Sequence, residues 1–259
     1  MCLPLSACRG GKDIVAIAYL VALVTAEIVT ALVNSVAGVI LHAVILSALV
    51  VHSSLTPNRS FGKLYLALAI VPLTKIVTLA MPLAQFTPIY QYLLASIPVL
   101  IASLIAIRIL ELTPSAVGLS LQKTAVQGLV ALTGIGFGFA EYYILRPEPL
   151  VSALTLSDAL IPGIILLVAT GFVEELAFRG VMQHCSIEAM GSRGLVYTAV
   201  VFSVLQIGYH SALQWVFVLL AGLFFGWVVK RTGSLLGVVL AHGIANIGLY
   251  LVLPFVLAR

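Results

Sequence analysis

The sequence predicts an all-α, polytopic transmembrane bundle of about eight to nine spans with a cytoplasmic N-terminus, and three observations carry that prediction. Hydrophobic residues make up 62% of the 259 residues and charged residues only 8%. An ordinary soluble domain is roughly a quarter charged, so this chain cannot clothe itself in a polar surface. Apolar runs near the ~20 residues that a spanning helix needs recur along its length. The 13 basic residues are scattered rather than clustered, which excludes a nucleic-acid face and fits membrane topology instead.

The spans are expected at about 14–33, 35–51, 64–83, 90–110, 125–145, 160–183, 195–209, 213–230 and 235–257. Between them stand Asn34, the stretch from His52 to Lys63 with Pro57, Thr87-Pro88, the run from Glu111 to Lys123, Arg146-Pro147-Glu148-Pro149, Gly191-Ser192-Arg193-Gly194 and Lys230-Arg231-Thr232-Gly233, all chain-breaking chemistry. With the N-terminus inside, Arg9, Lys12, Arg59, Lys63, Arg108, Lys123, Arg193, Lys230 and Arg231 fall on the cytoplasmic side, and only Arg146 and Arg259 fall outside. That is the asymmetry of the positive-inside rule, and the expected location is a multi-pass protein of the cell membrane. Two units are expected: residues 1–120, N-terminal spans without distinctive chemistry, and residues 121–259, which hold the polar groups. Cys2, Cys8 and Cys185 match no metal spacing or disulfide framework. No basic and apolar stretch precedes Leu5-Ser6-Ala7-Cys8, so no cleaved presequence is expected.

Glu174, Glu175 and Arg179 stand within six residues of one another in an otherwise apolar span. Charge at that depth costs a few kcal/mol per group, so the cluster marks a site. Glu175 and Arg179 are four apart and can pair on one helix face, while Glu174 is turned about 100° away and stays free. His242 and Asn246, again four apart, share a face of the last span, and Gly243 and Ala245 beside them admit close approach of another helix. Phe202-Ser203-Val204-Leu205-Gln206 is a third polar strip, with His210 one turn on. At 1.5 Å per residue, Gln206 lies roughly 16 Å and His242 roughly 12 Å from the inner ends of their helices, and Glu174 roughly 14 to 20 Å. The three can share one layer; His210 is about 6 Å further out. Taken singly, each group also has a bland reading: acids locking helices through Arg179, His242 and Asn246 as interhelical glue.

Together these residues resemble a known family. Glu174-Glu175-Leu176-Ala177-Phe178-Arg179, Phe202-Ser203-Val204-Leu205-Gln206 and His242-Gly243-Ile244-Ala245-Asn246 look like the three-motif signature of the CAAX protease and bacteriocin-processing family of intramembrane proteases, over about residues 160–250. Gly226 and Arg231-Thr232-Gly233-Ser234-Leu235 also resemble the family's linking text. The resemblance implies an intramembrane endopeptidase cleaving a membrane-associated peptide or protein, prenylated or not. Glu174 would activate a water, the second-motif histidine and His242 would hold that water or a metal, Asn246 would stabilise the oxyanion, and Glu175 with Arg179 would support the site. Zinc, another divalent metal, or no metal would serve, with His242, Glu174 and His210 as candidate ligands. One departure stands out: Gln206 occupies the position of the second-motif histidine, and an amide is a poor zinc ligand that cannot take up a proton as imidazole does.

Three readings therefore stay open: a protease whose water is positioned by Gln206, His242 and Asn246; a protease in which His210 supplies the missing imidazole; and a binding or scaffold protein that has kept the fold and lost the chemistry. A fourth, a small-solute or ion transporter, rests on Glu27, Lys75, Glu141 and the helix-breaking Pro72. Glu27 lies roughly 20 Å and Lys75 roughly 17 Å from the inner ends of their spans, so an ion pair between them is expected, outside the catalytic layer. His42 is expected as a satisfied packing histidine, His184 and Cys185 as interfacial, and Glu141-Tyr142-Tyr143 near the outer surface, its two tyrosines forming an aromatic belt.

Overall fold

A computed structural model describes the backbone of residues 5–209 and 211–257 and the side chains of 13–208 and 211–257. Cys2, His210 and Arg259 lie outside the described residues, as do the side chains of Cys8, Arg9 and Lys12. The described chain forms nine helices: α1 (Leu5–Leu32), α2 (Ser35–Leu55), α3 (Arg59–Ala80), α4 (Pro88–Ile109), α5 (Thr124–Leu145), α6 (Leu156–Met190), α7 (Arg193–Val204), α8 (Ala212–Thr232) and α9 (Leu236–Leu257). All but α7 are long and apolar enough to cross a membrane. Large side chains such as Ile14, Val21, Leu160, Ile164, Leu220 and Trp227 are exposed on them, as a surface that meets lipid requires.

The breaks act through ordinary capping. Asn34 accepts from the amides of Val36 and Ala37 at the start of α2, and Asn58, Thr155 and Ser211 do the same for α3, α6 and α8, since the first amides of a helix lack internal partners. Gly233, at φ 71°, closes α8. In α3 the helix is interrupted at Ala69, one turn before Pro72, whose missing N–H breaks the ladder there.

Polar contacts collect at one end of the bundle. Arg193 pairs with Asp13 at 2.7 Å, Arg59 with Glu111 at 3.1 Å and Lys63 with Glu188 at 3.0 Å, while Lys123 reaches the Arg231 carbonyl and Lys230 the Ser192 hydroxyl. Arg146 sits at the far end of α5. Arg59, Lys63, Lys123, Arg193 and Lys230, which the sequence assigns to one side, are thus brought to one end.

Two spans differ from expectation. α6 runs 35 residues rather than 24, and α7 stops at Val204 rather than reaching 209. Its last turn tightens, Leu205 and Gln206 bonding back to Phe202 and Ser203, and Lys75 holds the Leu205 carbonyl at 3.3 Å. Beyond the end of α7 an apolar hollow of about 540 Å³ opens between α1 and α8, walled by Leu20, Val24, Val204, Ile207 and Trp215.

Close packing of α9 sets the site. A Cβ on Gly134 or Gly138 of α5 would collide with the carbonyls of Ala241 and Ala245, and one on Gly171 of α6 would stand 2.7 Å from the Val239 carbonyl. Small residues let the backbones approach within a membrane. α9 is therefore gripped between α5 and α6, which fixes where its polar face points.

Candidate active site

Glu174 and Glu175 occupy a single α-helical turn, Val173–Glu175, between two π-helical stretches of α6, Leu167–Phe172 and Leu176–Met182. Widened turns of this kind are frequent at functional sites. They separate the two acids by environment. Glu175 is fully buried, and its Oε1 accepts from Arg179 Nη1 at 3.0 Å and stands 2.8 Å from His242 Nδ1. A carboxylate can only accept, so Nδ1 of the imidazole carries a proton and donates it to Glu175. Arg179 stacks over Phe202 at 4.1 Å, and its buried Nη2 has no hydrogen-bond partner among the described residues.

Glu174 has no such neighbour: among the described residues no cation lies within ion-pair distance of it. It faces a cavity of about 100 Å³ whose wall also holds Arg179, Gln206, His242, Asn246, Thr170 and Glu141. That is room for several waters among polar groups. Asn246 Nδ2 donates to Thr170 Oγ1 at 2.7 Å, which leaves the second amide hydrogen of Asn246 unassigned, and Thr170 donates to the Leu166 carbonyl at 2.6 Å. Glu174, Gln206 and Thr170 also line an adjoining cavity of about 270 Å³ that runs past Ser96 of α4 to Lys75 of α3.

The cavity thus gathers Glu174, Arg179, Gln206, His242 and Asn246, with Glu175 directly behind. Gln206 arrives by a route different from the expected one: it lies in the turn past α7, not on the helix. His210 lies outside the described residues. Glu27 and Lys75 pair at 2.8 Å as their depths require, yet the pair is not remote from the site, because Lys75 also binds the carbonyl next to Gln206. His42 is fully buried with neither ring nitrogen hydrogen-bonded among the described residues; Nε2 stands 3.5 Å from Glu27, so it is not the satisfied histidine expected. Cys185 is a free, fully buried thiol rather than an interfacial one.

Glu141 is the largest correction. Its neighbour Tyr143 is exposed, as a belt residue is, but Tyr142 packs inward against Leu249 and Leu253, and Glu141 itself lines the cavity with Glu174 and His242. Its partner is Gln214 of α8, whose Nε2 donates at 2.6 Å. Thr170 was unmarked in the sequence, although its place four residues before Glu174 puts it on the same face.

For a metal, the donors at hand are Glu174 and the Nε2 of His242. Among the described residues no cluster of three or more His, Cys, Asp or Glu stands close enough to hold an ion, and protein zinc sites use at least three protein ligands. The described residues alone therefore fall short of the ligand set of a zinc site.

Residues 155–248 match the family model described as type II CAAX prenyl endopeptidase Rce1-like. This segment is of the CAAX protease family. No curated protein and no solved structure gives a significant match. The CAAX-protease segment contains every one of Glu174, Glu175, Arg179, Gln206, His242 and Asn246. Glu141 of α5, and Lys75 and Tyr92 from α3 and α4, complete the cavity walls from outside it.

Proposed function

We propose that the chain is an intramembrane endopeptidase in which Glu174 acts as general base on a cavity water, cutting a membrane-associated peptide or protein, prenylated or not, at the cell membrane. The observation that supports this reading is the convergence of Glu174, Arg179, Gln206, His242 and Asn246, from three separate segments, on one membrane-embedded cavity.

The water is held by the lone pair of His242 Nε2 and by the Gln206 amide. Glu174 removes one of its protons as the oxygen bonds to the peptide carbonyl carbon, and the carbonyl electron pair moves onto its oxygen. The free amide hydrogen of Asn246 donates to that oxyanion, a contribution worth roughly a hundredfold to a thousandfold. The carbon–nitrogen bond then breaks, and Glu174 returns its proton to the departing amine. Two of these groups are already fixed by second partners: His242 by Glu175, Asn246 by Thr170.

Glu174→Gln, tested on a membrane-anchored fluorogenic peptide, is expected to lower the cleavage rate by at least a hundredfold while the protein stays folded in detergent. A variant that cuts as fast as the parent would exclude Glu174 as the base. One observation favours a second reading, in which the fold persists as a binding protein: Gln206 stands where the family's signature has histidine.

A further inference from the structure

The membrane-embedded carboxylates divide by whether they have a counter-charge. Glu27 has Lys75 at 2.8 Å and Glu175 has Arg179 at 3.0 Å. Glu141 and Glu174 have no cation within ion-pair distance among the described residues, and both open onto the same cavity. Glu174 is accounted for as the base. Glu141 is not. The Gln214 amide, 1% exposed, fixes one of its oxygens but carries no charge to offset it.

A charge left unpaired within the bilayer costs a few kcal/mol, and a counter-ion brought by a ligand removes that cost. The remaining wall of the cavity suits a cation: Tyr92, Phe137, Phe217 and Tyr250 line it together with Glu141, and aromatic faces attract ammonium and guanidinium groups.

We propose that the Glu141 end of the cavity is a substrate subsite for a cationic group, a lysine or arginine side chain or a free amine. This rests on the protease reading for its placement. Gly138 packs at Ala245, Glu141 lies three residues outward of Gly138 and His242 three residues inward of Ala245, so their levels differ by about 9 Å. At about 3.3 Å per extended residue, the basic residue falls two or three positions from the scissile bond.

The test pairs a catalysis-free arm with a cleavage arm. In the first, n-butylammonium is titrated into the detergent-solubilised protein, with n-butanol as the neutral control, and the melting temperature is followed. The ammonium is expected to raise it by several degrees in the parent and not in Glu141→Gln. In the second, membrane-anchored peptides carrying lysine or norleucine at each position near the cut are compared; the lysine peptide is expected to show at least tenfold higher kcat/KM in the parent, and Glu141→Gln to erase the difference. Equal responses to ammonium and alcohol, an undiminished response in Glu141→Gln, or a lysine preference that survives that substitution would each overturn the subsite. A parent that binds butylammonium through Glu141 but cuts neither peptide overturns the protease reading and leaves the cation site standing.

Discussion

Glu175 answers two groups from two helices with one oxygen, Arg179 Nη1 at 3.0 Å and His242 Nδ1 at 2.8 Å. Because α6 and α9 are thereby cross-linked through a buried charge, the imidazole is oriented before any substrate arrives. Among the described residues the Gln206 side chain has no comparable anchor, and this is where the two functional readings part. If imidazole is what the cavity lacks, Gln206→His is expected to raise kcat by tenfold or more or to make activity sensitive to a chelator. Unchanged rates with and without chelator would show that the amide already performs the task. These site residues were legible because charge inside an apolar span is rare and because four-residue spacing names a shared face. Thr170 was not, and Glu141 was legible as a charge within a span but not as part of this cavity. A lone threonine in a helix carries no such rarity, and the tyrosines after Glu141 imitate an interfacial belt although only Tyr143 is exposed.

Among the elements, α3 links the N-terminal spans to the site. Its Lys75 binds Glu27 of α1 at 2.8 Å and the Leu205 carbonyl at 3.3 Å, so one ammonium group joins α1, α3 and the end of α7. Breaking one partner of a buried pair strands the other and costs roughly 3–5 kcal/mol. Glu27→Gln and Lys75→Met are each expected to lower the melting temperature in detergent, and the double variant to recover much of the loss. Additive losses would mean that the two side chains contribute independently. The double variant is further expected to cut more slowly than the parent at restored stability, since it still lacks the group that holds the turn bearing Gln206. Depth arithmetic from the sequence found this pair; it could not find the carbonyl, because the pattern of apolar residues continues past Val204 and gives no sign that α7 ends there.

For the whole molecule, eight of the nine expected spans appear as long apolar helices and the remaining one as the short α7. Composition and breaks suffice for that outline, whereas the length of each helix is settled by neighbours. The inequality between α6 and α7 has a consequence in the elasticity of the surrounding lipid. At 1.5 Å per residue α6 is about 52 Å long and α7 about 18 Å, against a hydrocarbon layer of about 30 Å. Acyl chains must therefore fold inward over the hollow between α1 and α8, thinning one leaflet at the turn that carries Gln206. Thickness then becomes a variable that acts on the protein, as hydrophobic mismatch does on other helices. Protein reconstituted in a graded series of phosphatidylcholine chain lengths is expected to show a cleavage optimum in the thinner bilayers and a several-fold decline in the thickest, with its detergent melting temperature playing no part. A flat response across the series would mean that lipid does not enter the hollow.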